Sequence, residues 1–209
     1  MADVDFFFDP VCPWAWLTSR WVAEVARQKD LTVNWRFISL RILNAHRDYA
    51  TEFPPGYPES HGRGLRLLRV AAAVREQAGP EPIGALYEAF GRTIHVEDAA
   101  TKLDEPEQVG AVLTALGLDP ALAGALDDER HDAVLREETE LALARAGSDV
   151  GTPVLTFAPP DGPSFFGPVI SRAPEGTEAV RLWESVEYLA RFGGFAELKR
   201  SLREAPQLR

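Results

Sequence analysis

Cys12 is the one cysteine of the 209-residue chain, and it stands where a thiol can act as a nucleophile. The apolar run 4–8 predicts a buried strand, and Asp9 and Pro10 predict the turn that ends it. Pro13 is typical of the first position of a helix, where the missing N–H group of proline needs no partner. A helix N-terminus carries about half a positive charge, which favours a thiolate over a thiol. The sequence therefore predicts a cysteine with a lowered pKa at a strand-to-helix junction.

A buried structural role is the other interpretation of Cys12, because free cysteine is among the most buried residue types. The string Cys12-Pro13-Trp14 at a strand-to-helix turn favours a reactive thiol instead. Ala15 follows, and no second cysteine is present to resolve a mixed disulfide on Cys12, so a thiol from solution would have to do so. Ala15 therefore predicts a monothiol mechanism with a small thiol as co-substrate, or a thiol-dependent isomerase or transferase. An engineered exchange of cysteine for alanine would leave the same pattern.

The elements that must position Cys12 follow from the apolar periodicity on either side of it. Residues 13–29 carry apolar side chains at helical spacing, and residues 31–40 alternate as in a strand with one buried face. A strand, a helix and a second parallel strand make a right-handed βαβ unit. Strand character returns at 153–157 and 164–166, and a helix is predicted for 175–191.

The region between residues 41 and 148 shows no strand pattern. Residues 44–64 are rich in proline and glycine and predict a loop. Helices are then predicted at 65–78, 83–94, 105–117, from Asp119 onward, and at 127–146. One or two further helical turns are predicted within 195–203.

Short strings spread along most of the chain resemble one branch of the thioredoxin superfamily. They are Phe8-Asp9-Pro10, Cys12-Pro13-Trp14, Thr18-Ser19-Arg20-Trp21, Ser39-Leu40, Ile42-Leu43-Asn44, Gly151-Thr152-Pro153, Phe165-Phe166-Gly167-Pro168-Val169 and the segment 195–200. Cys12-Pro13-Trp14-Ala15 is similar to the CPxC redox motif with its last cysteine replaced by alanine. The branch is DsbA-like and includes FrnE-type oxidoreductases, glutathione-dependent 2-hydroxychromene-2-carboxylate isomerases and actinobacterial mycothiol-dependent nitroreductases. The strings are most similar to the last group.

The order of elements agrees with what this resemblance implies for the fold. The fold class is α/β, a thioredoxin fold with an all-helical insertion after the second strand. The predicted domains are a discontinuous thioredoxin-fold domain, residues 1–44 and 148–209, and a helical insertion domain, residues 45–147.

The resemblance also implies where a thiol would bind. In the superfamily a cis-proline begins the third strand opposite the cysteine, and the residue before it offers backbone hydrogen bonds to a bound thiol. Thr152 and Pro153 stand at that place. A trans-proline is the alternative, because proline is tolerated at the start of a strand.

Three further residues are candidates for contact with a substrate. Trp14 lies inside the redox string and could shield the thiol or stack on a flat molecule. Asn44 follows the second strand, and His95 ends a string, 91–95, that resembles a family string in the helical insertion. The four histidines lack metal-ligand spacing, so no metal site is predicted.

The amino-acid composition limits the classes of partner that the chain is expected to bind. A net charge of −10, from 32 acidic and 22 basic residues, argues against nucleic acid or an anionic membrane surface as the main partner. No signal segment and no apolar run of about 18 residues is apparent. A single cysteine cannot form an intrachain disulfide, which agrees with a reducing compartment, and the cytoplasm is expected. The resemblance implies that a homodimer is possible.

The leading hypothesis is a cytosolic thiol-dependent oxidoreductase in which Cys12 reacts and mycothiol, or a similar small thiol, is the co-substrate. The resemblance implies disulfides or electrophilic nitro compounds as substrates. A thiol-dependent isomerase or transferase, of the 2-hydroxychromene-2-carboxylate isomerase or kappa glutathione transferase type, is the second hypothesis. A non-catalytic binding protein is the third.

Overall fold

A mixed sheet of four strands forms the centre of the computed structural model, which describes residues 2–201 and 204–208. The strands are β1 Val4–Phe8, β2 Val33–Phe37, β3 Val154–Phe157 and β4 Ser164–Phe166. Their order across the sheet is β2-β1-β3-β4. β1 runs parallel to β2 and antiparallel to β3, and β3 runs antiparallel to β4.

Helices surround this sheet. They are α1 Pro13–Lys29, α2 Leu40–Leu43, α3 Tyr49–Glu52, α4 Tyr57–Ala78, α5 Ile83–Gly91, α6 Pro106–Ala115, α7 Asp132–Ala146 and α8 Gly176–Arg191. A π-helical turn, Arg92–Val96, continues α5, and 3-10 helices lie at Ala100–Asp104, Pro120–Asp127 and Glu129–His131. Throughout residues 38–153, all of which the structure describes, the regular elements are helical. The predicted fold class, a thioredoxin fold with an all-helical insertion after the second strand, is confirmed.

Local sequence rules account for the elements that were predicted with their correct bounds. β1, α1 and β4 begin and end where the apolar pattern places them. α1 starts with proline at its first position, and Asp30 ends it in the left-handed conformation with φ of 53°. The backbone N–H group of Asp30 donates to the carbonyl of Ala26, which closes the last turn.

The predicted loop 44–64 is wrong in part, because two helices begin inside it. Asp48 caps α3 by accepting a hydrogen bond from the N–H group of Ala50. α4 begins at Tyr57, eight residues before the predicted start, where Gly56 turns the chain with φ of 87° and a proline fills the first turn. Its first turns are polar, so the apolar periodicity revealed only the later ones.

Several other bounds also differ from the prediction, three of them by more than the ends of an element. The second strand covers only Val33–Phe37, because Ser39 caps α2 directly after it. α7 begins at Asp132 and not at 127, because Asp128 caps a separate 3-10 turn. Residues 195–201 form no helix, and residues 202 and 203 lie outside the described part of the chain.

One buried carboxylate joins the insertion to the sheet. The side chain of Glu138, on α7, is 7% exposed. It accepts hydrogen bonds from the N–H group of Phe37 at 2.8 Å and from Arg36 at 2.8 Å, both at β2. Arg75 of α4 donates to the same carboxylate at 3.1 Å. Glu138 therefore fixes β2, α4 and α7 to one another.

Two hydrogen bonds join α1 to α8 and to the segment that follows β4. The indole N–H group of Trp21 donates to the carbonyl of Ala179 in α8, at 2.9 Å. The hydroxyl of Thr18 donates to the carbonyl of Pro168, at 2.8 Å. The N-terminus of α1 therefore has a fixed position relative to the chain that follows β4.

Candidate active site

Cys12 is the N-cap residue of α1. Its backbone is extended, with φ of −80° and ψ of 114°, and its Sγ atom accepts a hydrogen bond from the N–H group of Ala15 at 3.5 Å. Its own N–H group donates to the carbonyl of Asp9 at 3.1 Å, which closes the turn after β1. Cys12 is 6% exposed. The turn and the helix together hold the sulfur at the end of the helix axis.

Thr152 and Pro153 lie directly against this sulfur. The Cys12 thiol donates to the carbonyl oxygen of Thr152 at 3.4 Å, across 140 residues of sequence. The peptide bond between Thr152 and Pro153 is cis. The Thr152 hydroxyl donates to the carbonyl of Phe7 at 3.1 Å, which fixes this segment to β1. The structure thus brings together the three residues for which the resemblance implies a thiol site.

The predicted lowering of the Cys12 pKa is wrong. Burial raises the pKa of the Cys12 thiol to about 12, and the negative charge of Asp9 acts in the same direction. The N–H groups of Ala15 and Trp14 lower this pKa, but burial has the larger effect. Cys12 therefore rests as a thiol whose proton is donated to the carbonyl of Thr152.

Asp9 is a second buried titratable group beside the thiol, and the sequence analysis treated it only as a turn residue. Its side chain is fully buried. The carboxylate accepts hydrogen bonds from the N–H group of Val11 at 3.1 Å and from that of Leu40 at 2.8 Å. Burial raises the pKa of Asp9 to about 7, although these two N–H groups oppose the change. An acid directly after a buried strand, three residues before the cysteine, was the available signal.

Trp14 is half-buried next to Cys12 and lines a groove of about 1550 Å³. Phe166, Pro168 and residues of α8 line the same groove. Cys12, Thr152 and Pro153 are not among the residues that line this groove, so Trp14 is the residue that the groove shares with the Cys12-Pro13-Trp14 string.

Asn44 and His95 are both buried and both bonded to the backbone. The Asn44 amide donates to the carbonyl of Leu40 at 2.8 Å, at the end of α2. His95 stacks on Trp16 with ring centroids 5.7 Å apart, and its Nε2 atom is 2.9 Å from the carbonyl oxygen of Pro10. Each side chain supports a segment that flanks Cys12.

An aromatic cluster that the sequence analysis missed lies at the start of the insertion. Its members are Tyr49, Phe53, Tyr57 and His61. The Tyr49 hydroxyl is 2.9 Å from Nδ1 of His61. Gly64, one turn after His61 on α4, packs against Asp9 and Val11, so that an added Cβ would lie 2.4 Å from the Asp9 carboxylate. The cluster therefore neighbours the loop that carries the thiol.

The buried histidines predict a loss of stability in mild acid. Burial lowers the pKa of both His61 and His95 to about 4. The unfolded chain binds these protons near pH 6.5, so the free energy of unfolding falls as pH drops from 6.5 towards 4, on the order of 3 kcal/mol for each residue. Asp9 acts in the opposite direction: its raised pKa stabilises the fold at low pH, and this contribution is lost as pH rises through about 7.

The variant His95→Gln measures the contribution of His95 to the pH dependence of stability separately from the contributions of His61 and Asp9. Glutamine can still donate to Pro10 but does not titrate, so the variant should lose part of the acid sensitivity. The free energy of unfolding, measured with urea at pH 7 and at pH 4.5, gives this acid sensitivity. The variant His46→Gln, at an exposed histidine, is the control. An unchanged difference between the two pH values in His95→Gln would contradict the prediction.

The described ranges of the chain are residues 2–201 and 204–208. Within them no group of three His, Cys, Asp or Glu side chains is close enough to hold a metal ion. None of the helices there is both long enough and apolar enough to cross a bilayer.

A thioredoxin fold with a cysteine at the first helix and a cis-proline against it defines a class of thiol-dependent oxidoreductases and isomerases. Residues 11–200 match the family described as Rv2466c-like, the mycothiol-dependent nitroreductase Rv2466c. The chain belongs to this family. It is 33% identical over 203 residues to the uncharacterized protein Rv2286c of Mycobacterium tuberculosis, with 96% of this chain and 82% of that protein covered.

Solved structures show the same fold at low sequence identity. One is a 2-hydroxychromene-2-carboxylate isomerase, with a TM-score of 0.58, 17% identity and coverage of 88% of this chain and 94% of the other. Another is the cytosolic disulfide reductase DsbM from Pseudomonas aeruginosa, with a TM-score of 0.55, 18% identity and coverage of 90% and 99%. These structures confirm the DsbA-like fold, and the family match confirms the branch to which the sequence was assigned.

Proposed function

We propose that this protein is a thiol-dependent reductase in which Cys12 is the single nucleophile and mycothiol is the co-substrate. The observation that carries the proposal is the position of the Cys12 sulfur, 3.4 Å from the carbonyl that precedes a cis-proline, with Ala15 in place of a second cysteine. Membership of a family described as mycothiol-dependent nitroreductases supports both the thiol and the reductive chemistry.

The reaction with a disulfide needs two molecules of the small thiol. The Cys12 thiolate attacks one sulfur of the substrate, and the other sulfur leaves as a thiolate that takes up a proton. A mycothiol thiolate then attacks the mixed disulfide and restores Cys12, and a second mycothiol releases the remaining half of the substrate. A nitro group would be reduced to a nitroso group with two mycothiols oxidised to their disulfide and one water released.

The site residues have separate roles in this proposal. Thr152 and Pro153 hold the small thiol beside Cys12. Trp14 stacks on the second substrate at the mouth of the groove. Asn44 and His95 contribute to substrate binding as part of the walls of the site, which they hold through Leu40 and Pro10.

The proposal also covers the cellular location of the protein and its division into two domains. A lone cysteine that reacts with a small thiol requires a reducing compartment, and we place the protein in the cytoplasm. The thioredoxin-fold domain comprises residues 1–44 and 148–209 and carries Cys12, Thr152 and Pro153. The insertion, residues 45–147, supplies the remaining walls.

Restoring a second cysteine tests the monothiol mechanism. Ala15 is fully buried three residues from Cys12, with its N–H group on the Cys12 sulfur. In Ala15→Cys the new thiol should attack the mixed disulfide, so that the mycothiol adduct disappears without added thiol and a disulfide forms between Cys12 and the introduced thiol. Intact mass measured over time after addition of oxidised mycothiol follows both species.

Ala15→Ser is the matched control, because serine has nearly the size of cysteine and no thiol. Its adduct should persist until free mycothiol is added, as in the unaltered protein. An adduct equally long-lived in Ala15→Cys would show that Ala15 does not determine how the mixed disulfide is resolved.

Ala15 also favours a second candidate, a thiol-dependent isomerase or transferase, since neither reaction requires a second cysteine. The amount of mycothiol consumed separates the candidates. A reductase oxidises two mycothiols for each two-electron step, a transferase incorporates one into its product, and an isomerase consumes none. Absence of both turnover and adduct would instead favour a non-catalytic binding protein.

A further inference from the structure

The groove that Trp14 lines is continuous with the thiol site. Trp14 follows Cys12 by two positions, and Val150, which also lines the groove, lies three positions before Pro153. The N–H group of Gly167, a third lining residue, donates to the carbonyl of Pro153 at 2.8 Å. The groove therefore begins beside the segments that enclose the sulfur, and a molecule bonded to that sulfur can extend into it.

The thiol site and the groove differ greatly in the space that they offer. Cys12 is 6% exposed and Thr152, against its sulfur, is 4% exposed, so only a slim thiol can reach this position. The groove has a volume of about 1550 Å³ and is open to the surface. Clefts that hold small molecules measure about 300–1,000 Å³. A substrate that fits both places has one small half and one large half.

The side chains that line the groove indicate which kind of large half it accepts. Five aromatic rings line it together with four acidic and four basic side chains, of which Arg172 and Glu178 are paired at 2.6 Å. A nucleic acid would require an excess of basic groups. Aromatic rings beside equal numbers of both charges match a polypeptide, which offers apolar, acidic and basic side chains along one strand.

We propose that the preferred substrate is a mixed disulfide between mycothiol and a cysteine of a polypeptide. Its mycothiol half lies at Cys12 and its polypeptide half lies in the groove. This inference rests on the proposed function and names the substrate class of the same site. Access determines which sulfur of a disulfide is attacked, and the buried Cys12 can reach only the sulfur of the small half.

The reaction then needs one free mycothiol for each turnover. The Cys12 thiolate attacks the mycothiol sulfur, the disulfide bond of the substrate breaks, and the polypeptide leaves as a thiolate. A free mycothiol gives its proton to that thiolate and attacks the mycothiol sulfur on Cys12. The products are the polypeptide thiol, mycothiol disulfide and the restored Cys12 thiolate. No step uses a second cysteine, in agreement with Ala15.

A comparison of three disulfides tests the proposal on the unaltered protein. The first is a mixed disulfide of mycothiol with a peptide whose single cysteine is flanked by phenylalanine, arginine and glutamate. The second joins mycothiol to free cysteine, and the third joins two copies of the peptide. The kcat/KM value for the first should exceed that for the second about tenfold, because the groove buries apolar side chains of the peptide. The third should react no faster than it does without the protein.

Two further readouts identify the sulfur that is attacked. Intact mass after rapid quenching should show mycothiol on Cys12 and no peptide. One mycothiol should be consumed for each peptide thiol released. A peptide adduct on Cys12, or equal kcat/KM values for the two mixed disulfides, would overturn the proposal.

A pair of aromatic variants tests the part played by the groove. Phe166 lines it and is 40% exposed, so Phe166→Ala should lower the ratio of the two kcat/KM values by about threefold or more. Tyr188 is 72% exposed on α8 and lies outside the groove lining, and Tyr188→Ala should keep the ratio. An equal ratio in both variants would exclude the groove as the place of the peptide.

An adduct formed with oxidised mycothiol separates this proposal from the proposed function. If that adduct forms on Cys12 but the peptide gives no advantage, the substrate class is wrong and the thiol chemistry remains. If no adduct forms with any mycothiol disulfide, the proposed function fails and the substrate class fails with it.

Discussion

Cys12→Ser should lose turnover with mycothiol by at least about a thousandfold, because the reaction loses its only nucleophile. The fold should survive the change. Serine is among the best N-cap residues, and its hydroxyl can accept from Ala15 as the sulfur does. Steady-state turnover and urea unfolding, measured on the same preparation, separate loss of chemistry from loss of structure.

Turnover comparable to that of the unaltered protein would exclude Cys12 as the nucleophile. Loss of both turnover and stability would instead assign the cysteine the structural role that its burial permits. The measurement therefore also decides between the reactive and the structural interpretation of a lone cysteine.

Glu138→Ala should destabilise the protein by about 2–4 kcal/mol, because it leaves two partly buried guanidinium groups without their carboxylate. Arg36 and Arg75 both donate to Glu138, and the N–H group of Phe37 loses its partner as well. Urea unfolding measures the change. Glu140, two residues further along α7 and exposed, provides the control, and Glu140→Ala should leave stability close to that of the unaltered protein.

Equal stability of the two glutamate variants would contradict this account of how the insertion is attached. A large loss confined to Glu138→Ala would show that the contact between α7 and β2 fixes the insertion to the sheet.

The elements that carry Cys12 were predictable because their signals are local. Pro13 and the apolar run before the cysteine determine β1 and the start of α1 without any distant contact. The start of α4 was not predicted because its first turns are polar and show no apolar periodicity. The other feature that marks this start is Gly56, which adopts the left-handed conformation just before the helix. The first turns of α4 pack against Tyr49 and Phe53, contacts that no local pattern reveals.

The ionisation of Cys12 could not be predicted from the sequence, for a related reason. The favourable effect of the helix N-terminus is local and could be expected from Pro13. The larger effect comes from burial of the thiol in the folded chain, where its sulfur lies against Thr152, 140 residues away, and the charge of Asp9 adds a smaller effect in the same direction. A local pattern can locate a nucleophile, but tertiary contacts determine its pKa.

These contacts suggest how the resting thiol becomes reactive. A ligand that hydrogen-bonds to the carbonyl of Thr152 would displace the Cys12 proton from its partner. The N–H groups of Ala15 and Trp14 would then stabilise the thiolate. Binding of the small thiol and ionisation of Cys12 are then linked.

The most direct test of the central claim is the intact mass of the reduced protein after exposure to oxidised mycothiol, with Cys12→Ser in parallel. The account predicts a single mycothiol adduct, located on Cys12 by peptide mapping, which free mycothiol removes and which Cys12→Ser does not form. A protein that stays unmodified although its fold is intact would contradict the claim that Cys12 reacts with this thiol.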